Sequence, residues 1–298
     1  MQHRPPVPDP VGSDTVLPRV SGQFGHKAGI AIPKKKPTGR FVVTPAHEGK
    51  GRKAENGDVV IVNYTAKTWK NGTSLPGTYA KAAGPKVFPV GRNAVIPALD
   101  RSVLGQPAGS RVLVVAPPEA AYGQTGNARL GVSATDTVVF AVDIMKIVPA
   151  RSAAEGHQTE IPDGLPRVGA RPGPAPITVP DTAAPKHLVD KTLIRGSGAT
   201  VKAGQSLVIQ YSGAVWETNR GKDQATLFDS SWAAHTPTTV VIGRGNVIEG
   251  WDRALVGTRV GSRVLLVVPP GLGYGSSDRR GVPARSTLIY VLDVLAAA

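Results

Sequence analysis

The sequence predicts an α+β protein built from two copies of one domain, each a set of about five antiparallel strands closing over a single short helix. Three observations predict it. The chain repeats itself in ordered blocks, the blocks are mostly short and β-branched between Gly or Pro, and one segment per copy carries a helical period.

GDVVIVNYTAKTW (57–69) aligns with GQSLVIQYSGAVW (204–216), which sets Tyr64 and Tyr211 147 positions apart. VIPALDRSVLG (95–105) aligns with VIEGWDRALVG (247–257), and GSRVLVVAPPEAAYG (109–123) with GSRVLLVVPPGLGYG (261–275). TVVFAVDIM (137–145) aligns with TLIYVLDVL (287–295), and even LPRV recurs, at 17–20 and 165–168. A repeat of nearly 150 residues is too long for a solenoid unit and suits a domain. The expected organisation is a flexible Pro/Gly-rich leader over 1–40, a first domain over 41–149, a linker that doubles as a second leader over 150–184, and a second domain over 185–298.

Within each copy, GDVVIVNYTAK and RVLVVAP have the residue types of strands. VIEGWDRALVG places Ile248, Trp251 and Leu255 at helical spacing and stops at Gly257, which predicts about two turns with one apolar face. TLIYVLDVL reads as a strand with Leu288, Tyr290 and Leu292 on one face. Trp69 and Trp216 stand at matching strand ends in both copies and read as packing residues.

Composition excludes several chemistries. The chain has no cysteine, so disulfides and thiolate catalysis are ruled out. The six histidines lack paired spacing, which argues against a metal site. Gly243-Arg244-Gly245 does not open the helix of a βαβ unit, so it is no phosphate loop, and no Ser/His/Asp order suggests a hydrolase. The net charge of +14 is spread as +6 over 1–57, +2 over 58–163 and +6 over 164–298, without aromatics interleaved at the Lys34-Lys35-Lys36 cluster. That cluster is expected to be solvated linker, and no specific nucleic-acid partner is expected. No stretch approaches the ~18 apolar residues of a membrane span, and MQHRPPVPDPVGSD lacks the apolar centre of a secretory signal. The expected location is the cytoplasm, or the cell envelope if a leader has been removed.

The second copy carries VIQYSG (208–213), LFDSS (227–231), VIEGWDRAL (247–255), PP-x-x-x-YG (269–275) and GVPARSTLIYVLDVL (281–295) in one order over some ninety residues. Together these resemble the FKBP-type peptidyl-prolyl cis/trans isomerases. The resemblance implies two domains, each a half-open antiparallel sheet wrapped around the short helix, and a prolyl isomerase (rotamase) that assists protein folding without a cofactor or metal. It implies a pocket walled by Tyr211, Phe228, Tyr274 and Tyr290, floored by Trp251 and edged by Val247 and Ile248. The Ile248 amide and the Tyr274 hydroxyl would be its donors, Asp229 its carboxylate, and Val282 the apolar residue of the loop before the last strand. The expected partners are proline-containing polypeptide clients and the macrolides that fill such a pocket, acting on a monomer. The Pro/Gly-rich leader is similar to those of exported envelope members of the family.

Two departures from the family's pattern bear on substrate preference. Thr238 and Thr239 stand where an aromatic is usual, and the loop Ser276–Ser286 is about one residue short and carries Arg279 and Arg280. The first copy departs further, with Leu99 for the floor, Leu75 for the wall phenylalanine and Pro76 for the carboxylate. Tyr64, Val95, Ile96, Tyr122 and Phe140 remain, so this copy is expected to bind substrate weakly and to catalyse poorly. The alternative is a protein whose pockets bind or chaperone peptides without turnover.

Overall fold

The computed structural model describes residues 6–80 and 83–298, and the chain divides into two compact units, Met1–Pro149 and Ala150–Ala298. In unit one the strands are β1 (Arg19–Ser21), β2 (Gly29–Ala31), β3 (Val42–His47), β4 (Val59–Thr68), β5 (Ser74–Leu75), β6 (Lys86–Pro89), β7 (Arg111–Ala116) and β8 (Val138–Val148), with helix α1 (Pro97–Val103) before β7. Unit two repeats the plan with β9 (Arg167–Val168), β10 (Ile177–Thr178), β11 (Val189–Ile194), β12 (Ser206–Val215), β13 (Leu227–Ser230), β14 (Thr238–Val241), β15 (Arg263–Val268) and β16 (Leu288–Ala297). Helix α2 (Trp216–Asn219) follows β12, and α3 (Glu249–Leu255) precedes β15.

Each unit holds a six-stranded antiparallel sheet, ordered β3-β7-β8-β4-β5 with β6 on β4, and β11-β15-β16-β12-β13 with β14 on β12. This is one strand more than the sequence suggests. The ten-residue β12 is long enough to pair two partners end to end on one edge, β14 along Ser206–Ile209 and β13 along Ser212–Ala214. The helix lies on one face of each sheet and buries Ala98, Leu99 and Val103 in unit one, and Trp251, Ala254 and Leu255 in unit two.

A Cβ at Gly250 would lie 2.6 Å from Cγ1 of Val268, so α3 needs glycine there. The matching positions of unit one are Ala98 and Ala116, an exchange of Gly/Val for Ala/Ala that nearly keeps the summed volume.

The other face of each sheet is covered as well. Residues expected to form a flexible leader fold back instead: β1 and β2 pair as a hairpin, and Ala28 and Ile30 pack with Val42, Leu113, Val115, Val139 and Ala141. Residues 1–5 of that expected leader lie outside the described residues. The expected linker does the same in unit two, where Val168, Ala175, Ile177 and Val179 pack on Leu265, Val267, Ile289 and Val291. The physical reason is in the strands. Ile289 and Val291 alternate with Leu288, Tyr290 and Leu292, so both faces of β16 are apolar and each needs a cover.

A buried ion pair ties cover to sheet. Arg111 Nε donates to Asp143 at 2.6 Å while its remaining N–H groups hold the carbonyls of Gly22, Gln23 and His26. Arg263 Nε donates to Asp293 at 2.7 Å and its other nitrogens reach Arg171 and Gly173, while Asp293 accepts the Ala154 N–H. Trp69 and Trp216 are buried in these outer layers, and their indole N–H groups donate to Lys35 and Thr182 carbonyls at 3.0 Å.

Candidate functional site

β12 turns Tyr211 and Gly213 toward the helix, and the ladder sets Tyr290 of β16 opposite Gly213. β13 runs along the other edge of β12 and brings Phe228 and Asp229 to the same end of the sheet. α3 supplies Trp251, which is 7% exposed, and the residue before the helix is Ile248. The segment carrying Val247 and Ile248 is fixed by Asp252, whose carboxylate accepts the Gly243 and Gly245 N–H groups at 2.7 Å each. Gly243 and Gly245 sit at φ +70° and +71°, which is why this turn is glycine-rich. A 3-10 turn over Pro270–Leu272 leads into Tyr274.

The rings meet edge to face. Centroids are 5.3 Å apart for Tyr211 and Trp251, 5.0 Å for Trp251 and Tyr290, 6.3 Å for Tyr211 and Tyr290, and 5.8 Å for Phe228 and Tyr290. T-shaped contacts place the positive edge of one ring on the negative face of the next, so the cluster is rigid. It borders an open hollow of about 570 Å³ whose lining includes Tyr211, Asp229, Val247, Ile248, Trp251, Tyr274 and Tyr290. A second hollow of about 760 Å³ adjoins it, lined by Phe228 and Val282, and the two share Asp229, Tyr274 and Arg279. Arg279 stands 5.6 Å from the Tyr274 ring, so the arginine noted as a departure sits on the rim.

The rings, Val247 and Ile248 share this hollow with the polar side chains of Asp229, Asn246, Glu249 and Arg279. The Tyr211 hydroxyl donates to Asp229 at 2.5 Å, and burial, then Asp229, raises its pKa well above the ordinary value. Burial, then the hydrogen bond with Tyr274, does the same to Tyr290. Both stay neutral at every physiological pH. The Ile248 amide meets no acceptor among the described residues, so it is open to a ligand carbonyl. The buried Trp251 indole N–H also lacks a partner among them, an unmet donor of the kind that folded cores usually avoid.

Unit one keeps the frame and has smaller side chains in it. Tyr64 and Phe140 meet at 6.0 Å, and Val95, Ile96 and Tyr122 pack on the same core, with Leu99 as floor. The Thr78 and Ser231 hydroxyls accept equivalent tyrosine amides, Tyr64 and Tyr211, both at 2.8 Å. That match sets Leu75 and Pro76 in the places of Phe228 and Asp229. The Tyr64 hydroxyl has no acceptor among the described residues, and burial raises its pKa and that of Tyr122.

Gly213 escaped the sequence reading. A Cβ there would lie 2.9 Å from Cε1 of Tyr290 and 3.0 Å from Cζ of Phe228, whereas unit one has Ala66 beside the smaller Leu75. The signal was present in the aligned blocks, where VNYTA and IQYSG differ at that position. The Arg–Asp pairs also went unread, although GSRV followed by VD or LD recurs in both copies.

Comparison with known proteins shows the family to which the chain belongs. The sequence model described as FKBP-type peptidyl-prolyl cis-trans isomerase matches residues 50–145 and 198–295. Human peptidyl-prolyl cis-trans isomerase FKBP9 is 25% identical over 229 residues, which are 76% of this chain and 33% of that protein. The chain therefore spans about a third of the length of the FKBP9 relatives that it matches. An FK506-binding protein of Streptomyces anulatus is 34% identical over 122 residues, 40% of this chain and 94% of that protein. The crystal structure of the three FKBP domains of wheat FKBP73 aligns at 20% identity and a TM-score of 0.36 over 88% of this chain and 96% of that one. With its family model matched twice over more than half of its residues, the chain belongs to the FKBP-type peptidyl-prolyl cis-trans isomerase family.

Proposed function

We propose that the chain is a peptidyl-prolyl cis-trans isomerase acting on proline-containing polypeptides, with turnover in unit two. The observation that carries this reading is the ring cluster of Tyr211, Trp251 and Tyr290, joined by Phe228, with the ring faces and the Ile248 amide, unpartnered among the described residues, bordering one hollow.

Rotation about an X-Pro bond must break amide resonance against a barrier of ~18–20 kcal/mol. No nucleophile is needed. As the amide twists, the nitrogen lone pair leaves conjugation and charge separation between nitrogen and oxygen falls. Aromatic ring faces that keep water off the amide nitrogen therefore favour the twisted amide over the flat one, and each 1.36 kcal/mol of that difference is about tenfold in rate.

Trp251 offers a flat floor for the pyrrolidine ring and the neutral tyrosines offer walls. The Ile248 amide holds a flanking carbonyl, and the Tyr274 hydroxyl holds another. Asp229 keeps the Tyr211 hydroxyl oriented. Unit one has the frame with Leu99, Leu75 and Pro76 in the key places, so it binds chains weakly and turns over poorly.

The test is a coupled proline-isomerisation assay on the full chain carrying Trp251→Leu, the residue that unit one has. The expected result is a loss of ~100-fold or more, about 2.7 kcal/mol of transition-state stabilisation. The leucine also removes the unmet indole N–H, which offsets lost packing and keeps the protein folded. Wild-type activity in this variant would move the chemistry to unit one.

A further inference from the structure

A hollow of unit one lies away from its ring cluster. It is a cleft of about 890 Å³ at the edge where β2, the end of β4 and the turn before β8 converge, and its lining includes Lys34, Lys35, Lys36, Lys67 and Lys70. The run Lys34-Lys35-Lys36, expected to be solvated linker, thus forms one wall of a cavity. None of the five lysines makes an ion pair among the described residues. The one acid in the lining, Asp136, is buried and accepts the Ser133 N–H at 2.7 Å. Five like charges around one hollow repel one another unless an anion joins them.

Unit two supplies an internal reference. Trp69 N–H donates to the Thr137 carbonyl, and Trp216 N–H to the Thr287 carbonyl. The indole bonds to Lys35 and Thr182 align the outer layers as well. On this alignment Asp181, Thr182 and Ala183 stand for Lys34, Lys35 and Lys36, Ala214 for Lys67, and Glu217 for Lys70. Arg285 and Ser286 stand for Thr135 and Asp136, so unit two is not acidic throughout, but the lysine cluster is absent.

The carboxylate of Glu217 accepts the Thr287 N–H at 3.0 and 3.1 Å. In unit one the equivalent Thr137 N–H meets no acceptor among the described residues, and Thr137 lines the cleft. A carboxylate that unit two carries within its own chain is missing from unit one, and lysines surround the gap.

We propose that this cleft docks the carboxylate side chains of acidic peptide segments, one of which takes the place on Thr137 that Glu217 takes on Thr287. The chemistry favours peptide over nucleic acid because Trp69 is buried with its N–H engaged, so no exposed ring is offered for base stacking. It favours peptide over a lipid surface because the exposed large apolar side chains, Leu104, Met145, Leu227 and Val256, are all absent from the lining.

The experiment is calorimetric titration of the full chain with hexaglutamate at low ionic strength, with hexaglutamine, inorganic tripolyphosphate and phosphatidylglycerol vesicles run alongside. Binding of hexaglutamate that fades with added salt, without binding of hexaglutamine, is expected. Lys70→Glu, which restores the internal carboxylate, should abolish it, and Lys35→Gln with Lys67→Gln should weaken it ~10-fold or more. Because most of these lysines are exposed, circular dichroism should be unchanged. No hexaglutamate binding, or binding indifferent to Lys70→Glu, overturns the proposal. Tighter binding of tripolyphosphate or of vesicles than of hexaglutamate also overturns it, by assigning the cleft to phosphate or to a lipid surface.

Discussion

The Tyr211 hydroxyl donates to the Asp229 carboxylate at 2.5 Å, and the matching pair in unit one, Tyr64 and Pro76, makes no such bond. The bond spans β12 and β13 and holds one wall of the hollow at a fixed angle. Asp229 is exposed, so Asp229→Ala should leave the unfolding midpoint nearly unchanged. Activity should fall about tenfold, the worth of one lost orienting interaction of ~1.4 kcal/mol. Steady-state kinetics with a proline peptide measures it, and undiminished kcat/KM would remove the carboxylate from the mechanism.

Gly213 gives room to the Phe228 and Tyr290 rings. Gly213→Ala puts a methyl 2.9 Å from one ring and 3.0 Å from the other, so one of them must move. The expected costs are ~1–3 kcal/mol of stability and a greater than tenfold loss of activity, read by denaturant unfolding and by rate. The reciprocal Ala66→Gly in unit one should leave the rate unchanged.

The Arg263–Asp293 pair is buried, with both side chains 1–2% exposed. Arg263→Met should destabilise unit two by ~3–5 kcal/mol, since it strands a carboxylate in the interior. It should also free the segment around Arg171 and Gly173 for early proteolysis. The exposed pair Arg253–Glu249 is the control, and its loss should cost below ~0.5 kcal/mol.

Alkaline pH should act on unit two through Tyr211 and Tyr290. Both hydroxyls have a folded pKa raised above the ordinary 10.0, first by burial. The unfolded chain therefore releases these protons before the folded one does. Stability is full below pH 10.0 and falls as pH rises past it. Urea midpoints on either side of that value measure the fall, and Tyr211→Phe with Tyr290→Phe should flatten it. An unchanged slope in the double variant would mean that these hydroxyls are not the groups responsible.

Much of this architecture was legible because the chain is written twice. The aligned blocks located the main strands and the helix around Trp251. The outer layers were misread because Pro- and Gly-rich segments look like linker, and what orders them is an apolar face on strands far along the chain, such as Ile289 and Val291. Ion pairs such as Arg111–Asp143 hold them there, across 32 positions of sequence. The lysine cleft was hidden for the same reason, since Lys34 to Lys36 meet Lys67 and Lys70 only after the cover has folded back. Gly213 could be read only once the rings beside it had positions.

Titration of a pocket-filling macrolide against the isomerase activity of the full chain tests the assignment of turnover most directly. One equivalent should abolish activity, and Trp251→Leu should lose both that binding and the activity. Two equivalents, or activity that survives saturation, would place turnover in unit one as well and contradict the assignment.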